Sequence, residues 1–255
     1  MRGSELRPRT LGLGLWLATR GVLVRVALWL GAGTAVAAAV LAKGHANALA
    51  SRLPTLAAMA VAWSIGISVA FGGALHALRN DLDQGVVTLA RLRGVTLPSY
   101  VRGRVWGLTA LVAMTVAAAA LGVGLVTTFE AGERMAAARE AAAALAYALA
   151  FAATIGPLAM AALGTGGRAS GYLSLLAVIA VPELLTTWTA QLLPPGWHEL
   201  TSIPSALAAV AAGVRSGGPT TMHMVRAMAG LAAVVTASLA AVWLRLEQAQ
   251  GATDS

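Results

Sequence analysis

The chain contains no cysteine, so it forms no disulfide and performs no thiol chemistry. Lysine is almost as scarce: of 18 basic residues only Lys43 is a lysine, and the rest are arginines. A P-loop needs a lysine just after its glycines to reach the β- and γ-phosphates of ATP. Lys43 stands in Ala42-Lys43-Gly44-His45, which fits no such loop, so the chain is expected to carry no P-loop ATPase site and no cofactor. Charged residues make up 11% of the chain, against roughly a quarter in a soluble domain. That shortfall excludes an ordinary cytosolic globule, a disordered chain and a nucleic-acid-binding domain. His45, His76, His198 and His223 are scattered without metal-ligand spacing, and His198-Glu199 lacks the second histidine of a zinc-protease helix.

Apolar residues are plentiful, at 58% of the sequence with a mean hydropathy of +0.76. They form recurrent runs near the roughly 20 residues that cross about 30 Å of hydrocarbon as a helix. A membrane span must satisfy its own backbone, which leaves helices or closed barrels. Barrel strands would alternate apolar and polar residues, whereas these runs are continuous Ala, Leu and Val. The expected fold is therefore an all-α integral membrane protein. Six transmembrane helices are predicted at about 22–42, 55–78, 105–128, 141–163, 172–193 and 225–244. Residues 1–21 are basic and carry Leu11, Leu13, Leu15, Trp16 and Leu17, which suits a retained N-terminal helix lying in the cytoplasmic interface. The transmembrane domain then covers 22–244, and 245–255 form a polar tail.

The basic residues orient this plan. With both termini cytoplasmic, twelve arginines fall inside: Arg2, Arg7, Arg9, Arg20, Arg25, Arg79, Arg91, Arg93, Arg102, Arg104, Arg168 and Arg245. Six basic residues fall outside: Lys43, Arg52, Arg134, Arg139, Arg215 and Arg226. A two-to-one bias favours both termini inside, in the plasma or inner membrane.

Two connectors stand out. The external segment 194–224 is rich in Pro and Gly and holds an apolar patch at 206–214, too short to span and suited to a re-entrant or surface helix before the sixth span. The cytoplasmic segment 79–104 is the more informative. Leu82, Val86 and Leu89 fall at i, i+4 and i+7 on one helical face, with Arg91 opposite. Gly94 and Pro98 are expected to break the helix before the chain re-enters the membrane. Such an amphipathic helix can lie in a groove of a soluble partner.

At this point the sequence resembles a family. An acidic residue, a Gly, a leucine-bearing helix and a breaker are similar to the cytoplasmic loop of type-2 ABC exporter permeases. Asp83 and Gly85, Leu89 and Leu92, and the Arg93-Gly94 break occupy the matching positions, with Gln84 where many relatives have a second glutamate. The layout of six spans, and Ser202-Ile203-Pro204 ahead of a short apolar helix, also resemble the family. The resemblance implies a dimer of permease chains driven by separately encoded ATPase subunits that bind ATP and Mg. It makes 79–104 the coupling segment, with Leu82, Asp83, Gly85, Val86, Leu89, Arg91, Leu92 and Arg93 as its contact residues.

Glu183 beside Pro182 in the fifth span is the other candidate, since an ionisable residue at membrane depth marks a transport role or a hydrogen-bonded kink. Pro157 and Pro182 free backbone carbonyls and favour kinks, for gating or for packing alone. Trp16, Trp106, Trp197 and Trp243 suit interface anchoring. Trp29 and Trp63 suit helix packing or a dimer seam, and Gly103 and Gly107 close helix contact. Three other readings stay open: an ATP-independent secondary transporter or channel, a haem-exporter-type permease, and a membrane enzyme using Glu183, His198 and Glu199.

Overall fold

The computed structural model describes residues 52–130, 134–165, 168–192, 201–216 and 222–251, together with Trp29, Gly33 and Pro194. The expected interfacial helix, most of the first span and its loop, His198, Glu199 and Trp197 lie outside the described residues. Within them the chain is helical and contains no strand.

Four helices are long and apolar enough to cross a membrane. The first, α1, runs Leu53–Asp83 with Pro54 in its opening turn, where a missing N–H costs nothing. After the short α2 (Val86–Leu92), α3 covers Leu97–Glu130. It starts eight residues before the expected 105. Pro98 sits in its first turn, so it begins this helix instead of breaking the preceding one. Next, α4 covers Arg134–Gly164, which makes helical the Arg134, Arg139 and Glu140 expected in a loop. The last long helix, α8, covers Met222–Gly251 and continues seven residues past the expected end of the sixth span.

The expected fifth span is divided in two by a one-residue turn. Its place is taken by α5 (Arg168–Leu184), a turn at Leu185, and α6 (Thr186–Leu192). At 1.5 Å per residue α5 is about 25 Å long, less than the hydrocarbon thickness. Pro182 has no N–H to continue the ladder, and the helix stops two residues later. Between α6 and α8 lies α7 (Ile203–Ser216), about 21 Å long by the same rise, where a short non-spanning helix was expected.

α4 is the central helix, packed against α1 and α3 on one side and α7 and α8 on the other. Tyr147, Phe151 and Ile155 recur at four-residue spacing and are fully buried, with Ala144, Ala148 and Ala152 beside them. Small residues of this kind let backbones approach closely, which is what drives helix association in lipid. At Gly156 an added Cβ would lie 2.5 Å from Thr109 Oγ1 on α3, and at Gly66 it would lie 2.9 Å from Phe151 and Val116. Gly103 and Gly107 are likewise buried. Trp63 serves packing: its Nε1 donates to Tyr147 Oη at 2.7 Å, and its ring meets Phe151 edge-on at 5.4 Å.

Three π turns interrupt these helices: Ala62–Gly66 and Leu75–Arg79 in α1, and Met160–Gly164 in α4. The second and third pack against each other, with Gly164 close to Leu78. Pro157 lies three residues before the α4 π turn, and the carbonyl it frees is that of Ala153, one turn further back.

The outer surface is apolar. Leu121, Leu125, Leu173, Leu176, Leu184, Trp188 and Leu239 are exposed, and only 28% of the apolar window of α8 is covered. In water such a surface would drive association, and hydrocarbon is the solvent in which it is stable.

Candidate functional site

The segment between α1 and α3 is a helical hairpin built on two glycines. Gly85 has φ +66° and Gly94 φ +78°, a left-handed conformation that glycine adopts without a Cβ penalty. The Gly85 carbonyl accepts from the amides of Thr88 and Leu89 and so opens α2. At the other end the Val95 amide donates to the Ala90 carbonyl at 3.0 Å across Gly94, a Schellman closure. The expected break at Arg93-Gly94 therefore stands.

The expected apolar face does not. The turn at Gln84-Gly85 interrupts the helical period, so Leu82 belongs to the end of α1 and Leu89 to a separate helix. Val87 is buried and Leu82, Val86 and Ala90 are half-buried against the spans. Leu89 is 57% exposed and Leu92 80% exposed, so they face outward. Asp83 is exposed and forms an i,i+4 pair with Arg79 at 3.1 Å. Arg93 is exposed as well.

Beneath the hairpin lies a cluster that the sequence reading did not single out. Asp81 at the end of α1 accepts a hydrogen bond from Tyr100 Oη and pairs with Arg104 Nη2 at 2.5 Å. Arg104 also donates to Tyr100 Oη at 3.4 Å, and its guanidinium carbon lies 5.0 Å from the Tyr100 ring centroid. The Asp81 and Arg104 side chains are 9% and 5% exposed. Tyr100 and Arg104 are one turn apart on α3, the one part of the cluster visible as a spacing. The hairpin's two ends are thus tied together by a buried ion pair.

A second cluster, partly buried, occupies the opposite end. Arg215, in the last turn of α7, grips Glu140 through Nε to Oε2 at 2.5 Å and Nη2 to Oε1 at 3.2 Å. Its Nη2 also donates to Thr55 Oγ1 at 3.3 Å. About 39 Å of helix separate Thr55 from Asp81 at 1.5 Å per residue. A bilayer with its headgroups is about 40–45 Å thick. The two ionic clusters therefore fall at the two ends of α1, where charge costs least.

Glu183 is exposed in the last turn of α5, and is not held within a long span. Its carboxylate accepts hydrogen bonds from Ser202 Oγ and, at 3.3 Å, from Ser205 Oγ. The Ser205 amide donates to Ser202 Oγ at 3.2 Å, which caps α7. Thr186, three residues on, donates to the Glu183 backbone carbonyl at 2.6 Å. Glu183 thus ties α5 to the start of α7. Pro182 lies next to this tie, while Pro157 lies apart from it in the middle of α4.

A groove of about 490 Å³ runs between α4, α5 and α8, lined by small residues such as Ala162, Gly171, Ser174 and Ala241, with Arg245 at its border. Among the described residues no group of three His, Asp or Glu comes together to hold a metal ion.

Comparison with family models, with curated proteins and with solved structures finds no match to the chain. What the fold defines is a class: all-helical among the described residues, with four helices long and apolar enough to span a membrane. Those helices are compatible with a membrane protein.

Proposed function

We propose that this chain is the permease subunit of an ABC exporter, with α2 as the element that engages a separately encoded ATPase. The observation that carries this reading is the hairpin between α1 and α3. It presents Leu89 and Leu92 outward while its base is locked to the spans through Asp81 and Arg104. An exposed leucine pair on a short helix suits a hydrophobic groove in a soluble partner. The buried ion pair gives a rigid route from that helix into α1 and α3. In this reading the chain has six spans with both termini cytoplasmic and acts as a dimer. The uncovered face of α8 is available to a second permease chain or to lipid.

The test is co-purification of the tagged chain with an ATPase from its own cell. Leu89→Asp with Leu92→Asp should abolish capture and leave insertion unchanged, since both side chains are already exposed. Undiminished capture would overturn the assignment of α2. Uptake driven by a proton gradient in vesicles without ATP would instead favour a secondary transporter.

A further inference from the structure

Between α2 and the start of α3 lies a cavity of about 300 Å³, lined by Val86, Leu89, Ala90, Arg93, Val95, Tyr100 and Arg104. Two of those residues are arginines. Arg104 spends one nitrogen, Nη2, on Asp81 and Tyr100. Its other terminal nitrogen, Nη1, is buried without a hydrogen-bond partner among the described residues. A buried guanidinium donor left unmatched costs on the order of 1–3 kcal/mol, so such a group calls for an acceptor. Arg93 stands at the same cavity, exposed and outside the ion pairs formed among the described residues.

Charge and shape narrow what that acceptor is. Asp81 neutralises one of the two guanidinium groups, which leaves a single positive charge uncompensated. The rest of the lining is aliphatic apart from the Tyr100 ring. The cavity lies at the end of α1 and α3 where spans meet the membrane surface, about 39 Å along α1 from Thr55. Arginine forks match tetrahedral oxyanions through paired hydrogen bonds, and basic pockets between membrane helices take phospholipid headgroups.

We propose that this cavity is a binding site for a singly charged phosphoester, gripped by Arg93 and by Arg104, whose buried Nη1 turns into the cavity to meet it. The ligand chemistry is that of a phospholipid phosphodiester, and a soluble phosphate monoanion carries the same group. Val86, Leu89, Ala90 and Val95 would contact the apolar part next to the phosphate. Binding there wedges α2 against α3, so the ligand sets the position of the hairpin. The inference is independent of whether an ATPase docks on α2.

Four forms of the full chain in a maltoside detergent, which carries no phosphate, decide the matter: wild type, Arg93→Gln, Arg104→Lys and Arg102→Gln. Arg104→Lys keeps a cation on Asp81 but removes the free nitrogen. Arg102 is exposed at the same end of α3 and does not line the cavity, so its loss reports charge alone. The probes are fluorescent phosphatidylglycerol added to the micelles, inorganic phosphate in the buffer, and a count of retained phospholipid by native mass spectrometry.

The expected result is one saturable phosphatidylglycerol per chain, weakened about tenfold in Arg93→Gln and Arg104→Lys and unchanged in Arg102→Gln, the size of one lost charge-assisted hydrogen bond. Phosphate that saturates the wild type but not Arg104→Lys, with no lipid retained, assigns the site to a soluble phosphoester. Equal weakening in all three variants, or no saturable binding of either probe, overturns the proposal. A melting temperature measured on each variant separates lost binding from lost folding.

Discussion

Arg215 Nε lies 2.5 Å from Glu140 Oε2, and the two residues are 75 positions apart in the chain. The pair fastens the end of α7 to the beginning of α4 and, through Thr55, to the beginning of α1. Removing one partner of a buried pair leaves the other charge unpaired, at about 3–5 kcal/mol. Arg215 is 34% exposed, so solvent screens part of that loss. Arg215→Ala should therefore cost about 2–3 kcal/mol, read as a lower melting temperature in detergent. Arg215→Lys should recover only part, since an ammonium cannot reproduce the bidentate grip.

At the other end the Asp81–Arg104 pair is more deeply buried, and Asp81→Ala should cost the full range of about 3–5 kcal/mol. Replacing both by apolar residues, as Asp81→Leu with Arg104→Met, should restore most of it. A double-mutant cycle on thermal unfolding measures the coupling. Additive losses would show that the pair contributes nothing as a pair.

Helix contact can be tested with a methyl group. Gly156→Ala places a Cβ 2.5 Å from Thr109 Oγ1 and 3.1 Å from Thr109 Cα, so α3 and α4 must part. Overpacking of this kind costs roughly 1–3 kcal/mol. Gly122, on α3 with nothing within 4 Å, offers the control. Gly122→Ala should be neutral or slightly stabilising.

The hairpin depends on backbone conformation. Gly85 and Gly94 have open space around the missing side chain, so alanine there meets strain and no clash. Gly94→Ala should cost roughly 1–2 kcal/mol, confined to the hairpin. Amide exchange should accelerate in Val86–Leu92 and stay unchanged in the core of α4.

Glu183→Gln tests the residue expected to act at membrane depth. The amide still accepts from Ser202 and Ser205, so the melting temperature should move little. Ser202→Ala removes the cap of α7 and should destabilise by about 1 kcal/mol. A larger effect of Glu183→Gln on transport than on stability would assign the carboxylate to the transport path.

Composition and apolar periodicity made the long helices legible to within several residues at most ends. Their failures have physical causes. Pro98 reads as a breaker in a linear scan, yet a proline in a first turn starts a helix, and it is the left-handed Gly94 before it that ends α2. Glu140 reads as a loop residue because nothing local signals an arginine 75 positions away. Leu82, Val86 and Leu89 share a face only if one helix contains all three, and the left-handed Gly85 divides it. Asp81 and Tyr100 are 19 residues apart, and folding the hairpin is what brings them together. The fifth span illustrates the same limit: hydropathy runs unbroken from α5 into α6, and nothing in it marks the turn at Leu185.

The two facing π turns, Leu75–Arg79 in α1 and Met160–Gly164 in α4, have a geometric consequence. A π turn holds one residue more than the α turn it replaces, and one α-helical residue corresponds to about 100° of rotation. Relaxing the α1 turn to α register would swing Asp81 about 100° around the helix axis, off Arg104 and out of reach of Tyr100. The ion pair thus works as a detent that holds the end of α1 at one angular setting. Deleting one residue between Leu75 and Arg79 should leave an α turn with Asp81 still facing Arg104, and a cysteine crosslink between these two positions that forms in the parent and the deletion variant alike would record the retained setting.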